Sequence, residues 1–207
     1  MSTNDLGRIQ PRRLTGSEPL HSHDTPAGAT VLDFWRWSSS DLVVNTARGL
    51  LAEYIVAHGL GISTAGVRDG WAVWDLTTPD GIKVEVKSGA YLQSWFQKAP
   101  SVIGFSIKRA TAWNPDTNEF EGDQQRHADV YVFALLAHRD KATLDPLDVS
   151  QWQFFVVPTR VLNEELPTQQ SISLAVLERL GAGPHAYAGL RKAVTKAKGG
   201  GDGLGTN

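Results

Sequence analysis

The first regular pattern of apolar residues in the chain is helical. Over residues 45–58, side chains at helical spacing form one stripe, namely Ala47, Leu50, Leu51, Tyr54, Ile55 and His58. Gly59 and Gly61 follow, and glycine commonly ends a helix because it accepts a left-handed backbone. The pattern predicts one helix with an acidic residue, Glu53, at the edge of its apolar stripe.

Strand patterns dominate the middle of the chain. The runs WAVWDLT and IKVEVKS alternate on either side of a Pro-Asp-Gly turn and predict a β-hairpin. Val102–Ala110 also alternates and predicts a third strand. Ala128–Ala137 and Trp152–Val157 are almost continuously apolar, which is typical of strands buried on both faces.

Helical patterns recur between and after the strands. Ala90–Lys98 predicts a short helix before Pro100, Pro158–Glu165 begins another helix, and His185–Ala197 predicts an amphipathic helix with a basic face. The order of elements predicts an α/β fold, bordering on α+β, with a central mixed sheet flanked by helices.

Length and composition add the domain organisation. The chain has 207 residues, of which 41% are hydrophobic, as expected for one globular domain. Residues 1–29 lack periodicity and predict a flexible N-terminal arm, residues 30–197 form the single domain, and the glycine-rich residues 198–207 predict a disordered tail.

Composition also excludes several classes of protein. The absence of cysteine excludes disulfides, thiolate metal sites and a cysteine nucleophile. No secretory signal and no apolar run of membrane-spanning length is visible, so we expect a cytoplasmic protein with no membrane partner. The net charge of -2 does not indicate a nucleic-acid-binding protein, although a local basic cleft is compatible with it.

The hairpin supplies the candidate chemistry. If Pro79-Asp80-Gly81 is a three-residue loop, Thr78 pairs with Ile82 and Asp75 lies opposite Glu85. Two like charges directly opposite each other on paired strands are destabilising unless a cation binds between them. Carboxylate oxygens favour Mg²⁺ or Mn²⁺ as that cation. Lys87 is on the same strand face as Glu85 and could act on an attacking water or on phosphate charge. The alternative is that Lys83, Glu85 and Lys87 are simply the solvated face of a hairpin.

In these residues the chain resembles the PD-(D/E)XK nuclease superfamily, which has the restriction-endonuclease-like fold. The acidic helix, the strand with Asp75 and the following Glu85-Val86-Lys87 stand in that family's order, although no proline precedes Asp75. The resemblance implies that Asp75, Glu85 and the carbonyl of Val86 bind Mg²⁺, for which Mn²⁺ can substitute. It also implies that Lys87 is catalytic and that Glu53 completes the site.

The resemblance implies a metal-dependent endonuclease that hydrolyses phosphodiester bonds in DNA, with double-stranded DNA the favoured substrate and a homodimer an open possibility. A catalytically silent nucleic-acid-binding or assembly module of the same fold is the alternative, and a hydrolase of small phosphate esters is a third. The candidate nucleic-acid contacts, each of which could equally be an ordinary surface residue, are Arg48, Lys83, Gln93, Gln97, Lys108 and Arg109.

Overall fold

A computed structural model describes residues 6–199 of the chain. The strands are β1 (Pro19–Ser22), β2 (Thr25–Thr30), β3 (Leu76–Thr77), β4 (Lys83–Ala90), β5 (Gly104–Ser106), β6 (Ala110–Asn114), β7 (Glu119–Gln125), β8 (Val130–Leu136), β9 (Trp152–Pro158) and β10 (Ser171–Ser173). The helices are α1 (Val31–Ser39), α2 (Asn45–Leu60), α3 (Thr159–Glu165), α4 (Leu174–Arg179) and α5 (Leu190–Gly199), with single 3₁₀ turns at Val149–Gln151 and Tyr187–Gly189.

A mixed four-stranded sheet in the order β3-β4-β8-β9 forms the centre of the molecule. β4 is antiparallel to β3 and parallel to β8, and β8 is antiparallel to β9. Every residue of β8 is buried, because it lies between two strands and is covered on both faces. The predicted α/β fold with a mixed sheet is therefore confirmed.

Two apolar cores lie on opposite faces of this sheet. On one face, α2 and α5 pack against alternate residues of β4, β8 and β9 through side chains such as Val56 and Leu190. On the other face, α3, α4, β5 and β10 pack against the remaining residues of β8 and β9, with Phe105 and Phe133 in contact at a ring-centroid distance of 5.1 Å. This arrangement leaves β3 as a short edge strand beside β4.

The strongest sequence patterns are found as predicted. The helix predicted over residues 45–58 is α2, and Gly61 ends it in the left-handed conformation with φ of 72°. The continuous apolar runs are β8 and β9, and the helix predicted from Pro158 is α3. The helices can be recognised from their own sequences because their backbone hydrogen bonds are local. The strands can be recognised because burial on both faces requires a nearly continuous apolar run.

Two predictions around β5 are wrong. The segment Val102–Ala110 is not one strand: it contains the three residues of β5, which pair with β10 in a separate two-stranded sheet, and the first residue of β6. The helix predicted over Ala90–Lys98 is absent: Ala90 is the last residue of β4, and the residues after it in this segment form neither helix nor strand. Here side-chain amides replace helical hydrogen bonds, because the Gln97 side chain accepts from the backbone of Gln93 at 2.6 Å.

The N-terminal region contains more regular structure than its sequence suggests. β1 and β2 form an exposed antiparallel hairpin within the segment predicted to be a flexible arm. Arg8 also contacts Asp69 at 2.8 Å, which ties this region to the loop that precedes the site. The hairpin of β6 and β7 was likewise not predicted. The division into arm, domain and tail stays a prediction, and residues 200–207 of the tail lie outside the described residues.

No helix among residues 6–199 is long and apolar enough to cross a membrane.

Candidate active site

The hairpin of β3 and β4 has the predicted register. Thr78 donates a backbone hydrogen bond to Ile82 at 3.0 Å, and Gly81 takes a left-handed φ of 83° in the turn. Leu76 pairs with Val84, so the same register continued by one position places Asp75 opposite Glu85. The predicted register is thus confirmed for the residues of β3, and the position of Asp75 opposite Glu85 is its extension by one residue.

Asp75 directly precedes β3, which is so short that the edge of β4 beyond it is open. Its Oδ2 accepts a hydrogen bond from the backbone nitrogen of Val86 at 2.7 Å. The N–H and C=O of one strand residue point to the same side, so the Val86 carbonyl also faces the edge where Asp75 lies. Two oxygen donors, one carboxylate and one carbonyl, therefore share this edge.

Glu85 is mostly buried and pairs with Lys87, the next residue on the same face of β4. Burial raises the pKa of Glu85 above its usual value, and the nearby charges of Asp75 and Glu53 raise it further against the opposing effect of Lys87. Tyr131 is the register partner of Glu85 on β8, and burial together with the charge of Glu85 raises the pKa of its hydroxyl. Lys87 therefore offsets only part of the cost of burying the Glu85 carboxylate beside other carboxylates.

Glu53 is joined to Asp75 through Arg68. The Arg68 guanidinium donates through both Nε and Nη2 to the carboxylate of Glu53, with the Nη2 contact at 2.9 Å, and Nη2 lies 3.7 Å from an oxygen of Asp75. Arg68 belongs to the loop between α2 and β3, and sequence reasoning missed it. No sequence signal identifies it, because the contact depends on how that loop folds back over α2.

A cavity of about 390 Å³ opens beside these residues. Glu53, Arg68, Asp69 and Asp75 supply its charged lining, and the lining residues Leu50 and Tyr54 contribute exposed apolar surface. Within residues 6–199, no three histidine or acidic side chains converge closely enough to form a ready metal centre. The groups that could hold a cation are the carboxylates of Asp75 and Glu85 with the carbonyl of Val86.

Some of the candidate nucleic-acid contacts are exposed or half-buried and others are buried. Lys83 lies on the face of β4 that carries Glu85, with its Nζ 4.1 Å from the ring centroid of Trp74. Lys108 and Arg109 are exposed after β5 and take no part in the ion pairs found among the described residues. Their role in nucleic-acid binding stays a prediction.

Arg48, Gln93 and Gln97 lie away from the acidic residues, in a separate set of contacts. Arg48 and Gln93 are buried and hydrogen-bonded to each other at 3.2 Å. Gln97 donates to the carbonyl of Tyr91 at 3.1 Å and holds the loop after β4. Any nucleic-acid contact by these three residues likewise stays a prediction.

The fold and the site define an α/β protein with two facing carboxylates and a lysine at the open edge of a mixed sheet. A family model described as bacteriophage T4 endonuclease IV matches residues 30–175. The chain therefore belongs to the bacteriophage T4 endonuclease IV family, a family of nucleases, and the matched region contains every acidic residue of the site. Neither the curated proteins nor the solved structures contain a match.

Proposed function

We propose that the protein is a metal-dependent DNA endonuclease with a site of the PD-(D/E)XK type. The observation that carries the proposal is the placement of Asp75 opposite Glu85, with Lys87 paired to Glu85, in a chain of an endonuclease family. Paired carboxylates and an ammonium are the groups that phosphodiester hydrolysis requires around the phosphorus.

The donor atoms fit a hard divalent cation. Asp75, Glu85 and the carbonyl of Val86 offer only oxygen, which suits Mg²⁺ and also Mn²⁺. The raised pKa of Glu85 reflects burial next to other carboxylates, and a cation would remove that cost. When bound, the cation would supply charge neutralisation and a more acidic water. These features support Mg²⁺ as the cofactor, with Mn²⁺ as a substitute.

Lys87 is proposed to act at the attacking water and at the negative charge that develops on phosphate. Its side chain has an accessibility of 32%, which leaves room for a substrate to approach it. In hydrolysis the oxygen of water bonds to phosphorus, one P–O ester bond breaks, and a proton passes to the departing oxygen. A lysine beside the phosphate stabilises charge at this stage.

Glu53 and Arg68 are proposed to complete the site. The guanidinium of Arg68 holds Glu53 and approaches Asp75, so it fixes both carboxylates relative to each other. Arg68 is also half-exposed, which leaves part of its guanidinium available to a phosphate oxygen. The exposed cations Lys83, Lys108 and Arg109 are proposed further contacts to the DNA backbone. A homodimer would allow both strands to be cut and stays a prediction.

The proposal is tested by incubating the protein with supercoiled plasmid, linear duplex, single-stranded DNA and RNA, in Mg²⁺, Mn²⁺ or EDTA. We expect DNA cleavage with either metal and none in EDTA. Asp75→Asn should reduce the rate on the order of 100-fold or more. Asp80→Asn, which changes an acid in the turn of the same hairpin, is the matched control and should cleave at the wild-type rate.

Two results would contradict the proposal. Cleavage that persists in EDTA would exclude the metal-dependent mechanism. A protein that binds DNA but cuts no substrate under any condition would instead be the catalytically silent module that the sequence left as the alternative.

A further inference from the structure

A second cavity, of about 300 Å³, opens beside the C-terminal half of β4. Ser88 is on the same face of β4 as Val84 and Val86, which pack against α2, whereas the lining residues Gly89 and Ile103 belong to the other side of the strand. The polar residues in its lining are Asn45, Arg48, Ser88, Gln93 and Ser101, and no Asp or Glu is among the lining residues.

Arg48 is the charged group of this cavity, and its accessibility is only 4%. Its Nη1 donates to the carbonyl of Val43 at 2.9 Å and to the side-chain oxygen of Gln93 at 3.2 Å, and its Nη2 donates to Oδ1 of Asn45 at 2.7 Å. All three acceptors are neutral. Nε of Arg48 is the one buried side-chain nitrogen or oxygen without a hydrogen-bond partner in the described part of the chain.

This guanidinium has no counter-charge within residues 6–199. The ion pairs there do not include Arg48. Removing a charge from water without pairing it is unfavourable, and burial accordingly lowers the pKa of Arg48. A buried charge whose acceptors are all neutral, beside a cavity lined by no Asp or Glu, is an environment in which an anionic ligand is favourable.

We propose that this cavity binds a phosphate group, with Arg48 as its charged ligand and the polar side chains of Asn45 and Ser88 at its rim. A guanidinium can pair with a phosphate through two parallel hydrogen bonds, and the hydroxyl and amide groups can donate further ones. Ser88 directly follows Lys87 on β4, and the side chains of successive strand residues point to opposite faces, so Ser88 and Lys87 face opposite sides of β4. Phosphate binding itself does not need the proposed metal function, but its use on a DNA strand rests on it.

The first test measures thermal unfolding in EDTA with increasing inorganic phosphate, against potassium chloride of equal ionic strength. We expect phosphate to raise the melting temperature of the wild type beyond the chloride control. Asn45→Asp replaces the amide that accepts a hydrogen bond from Arg48 with a carboxylate, which supplies the missing counter-charge. The variant should therefore have a higher melting temperature without phosphate and should bind phosphate at least about 10-fold more weakly. Ser88→Asp should also abolish the response.

Thr46→Asp is the matched control, because it adds the same charge to the same helical turn at an exposed residue that does not line the cavity. It should keep the wild-type phosphate response. A wild type that responds equally to phosphate and chloride would overturn the proposal. So would an Asn45→Asp variant that is more stable than the wild type yet responds to phosphate as the wild type does, because Arg48 would then be purely structural.

A second arm identifies the source of the phosphate by fluorescence anisotropy in EDTA. Tighter binding of 5′-phosphorylated than of unphosphorylated oligonucleotides, lost in Asn45→Asp, assigns a terminal phosphate. Equal binding of both, weakened in Asn45→Asp, assigns an internal phosphodiester. Because metal is absent, this result is independent of cleavage: a protein that never cuts DNA can still bind phosphate, and an active nuclease can fail to bind it here.

Discussion

At the scale of single residues, substitution of Lys87 is the clearest way to test a catalytic role separately from a role in folding. Its ammonium pairs with Glu85 and part of its side chain is open to solvent. Lys87→Ala should therefore lower the single-turnover cleavage rate by about 10²–10⁴-fold, because it removes the group that acts on water and developing charge. The fold, measured by circular dichroism, and DNA binding should change little.

Lys83→Ala provides the control for this substitution, since Lys83 is on the same face of β4 but lies over Trp74. It should affect DNA affinity and leave the single-turnover rate at saturating DNA near that of the wild type. A Lys87→Ala variant that cuts as fast as Lys83→Ala would remove Lys87 from the proposed mechanism.

Glu85 makes a pH-dependent contribution to stability that can be read without any substrate. Burial, and then the charge of Asp75, raises its pKa above the usual 4.5, so the folded state binds this proton more tightly than the unfolded state. Its contribution is therefore most favourable at low pH and is lost as the pH rises from about 4.5 through the folded-state pKa. Glu85→Gln removes this loss.

Metal-free Glu85→Gln should consequently be more stable than the wild type at pH 7, by about 0.5–2 kcal/mol, and the difference should disappear near pH 4. Urea unfolding at several pH values in EDTA measures it. Glu164→Gln, on the exposed surface of α3, is the control for the loss of one carboxylate. A difference between wild type and Glu85→Gln that does not change with pH would contradict the assigned environment.

At the scale of elements, two glycines show how the same substitution acts in opposite directions. A Cβ at Gly89 on β4 would lie 2.9 Å from a ring carbon of Phe105, which is buried against Phe133 and cannot move freely. A Cβ at Gly49 in α2 would meet nothing within 4 Å. Packing therefore opposes alanine in the strand, while helix propensity favours it in α2.

Gly89→Ala should accordingly destabilise the protein by about 1–3 kcal/mol, and Gly49→Ala should stabilise it by about 0.5–1 kcal/mol. Urea unfolding of both variants measures the two free energies of unfolding. If Gly89→Ala were as stable as the wild type, β5 would not pack on β4 as closely as described. Failure of Gly49→Ala to stabilise would show that the space beside α2 is occupied.

At the scale of the whole molecule, a bound cation should stabilise the fold, because a ligand that binds only the folded state shifts the unfolding equilibrium. The stabilisation is about 2.7 kcal/mol when the free cation is 100 times its dissociation constant. Thermal unfolding of the wild type should therefore shift upwards in excess Mn²⁺ relative to EDTA. Asp75→Asn should show little or no shift, because it removes one of the two carboxylate ligands.

Asp80→Asn again serves as the control and should respond to Mn²⁺ like the wild type. Equal shifts in wild type and Asp75→Asn would mean that the cation binds elsewhere. No shift in any of the three proteins would leave the paired carboxylates without the role proposed for them.

The elements that can be predicted from the sequence are those whose interactions are local or whose burial is complete. α2 follows from helical spacing and its terminal glycine, and β8 follows from its continuous apolar run. The register that places Asp75 opposite Glu85 follows from the turn, because the length of a three-residue loop fixes which residues on the two strands pair with each other.

The contacts between segments that are distant in the chain could not be predicted from the sequence and are known from the structure. β5 leaves the central sheet because β10, more than sixty residues later, pairs with it. Arg68 reaches Glu53 and Asp75 through the fold of a loop with no periodic pattern. Nothing in the sequence around Arg48 distinguishes it from an exposed arginine on a helix. It is buried because the loop after β4, which contains Gln93, packs against it. Such contacts depend on the free energy of packing between remote parts of the chain, which local spacing does not encode.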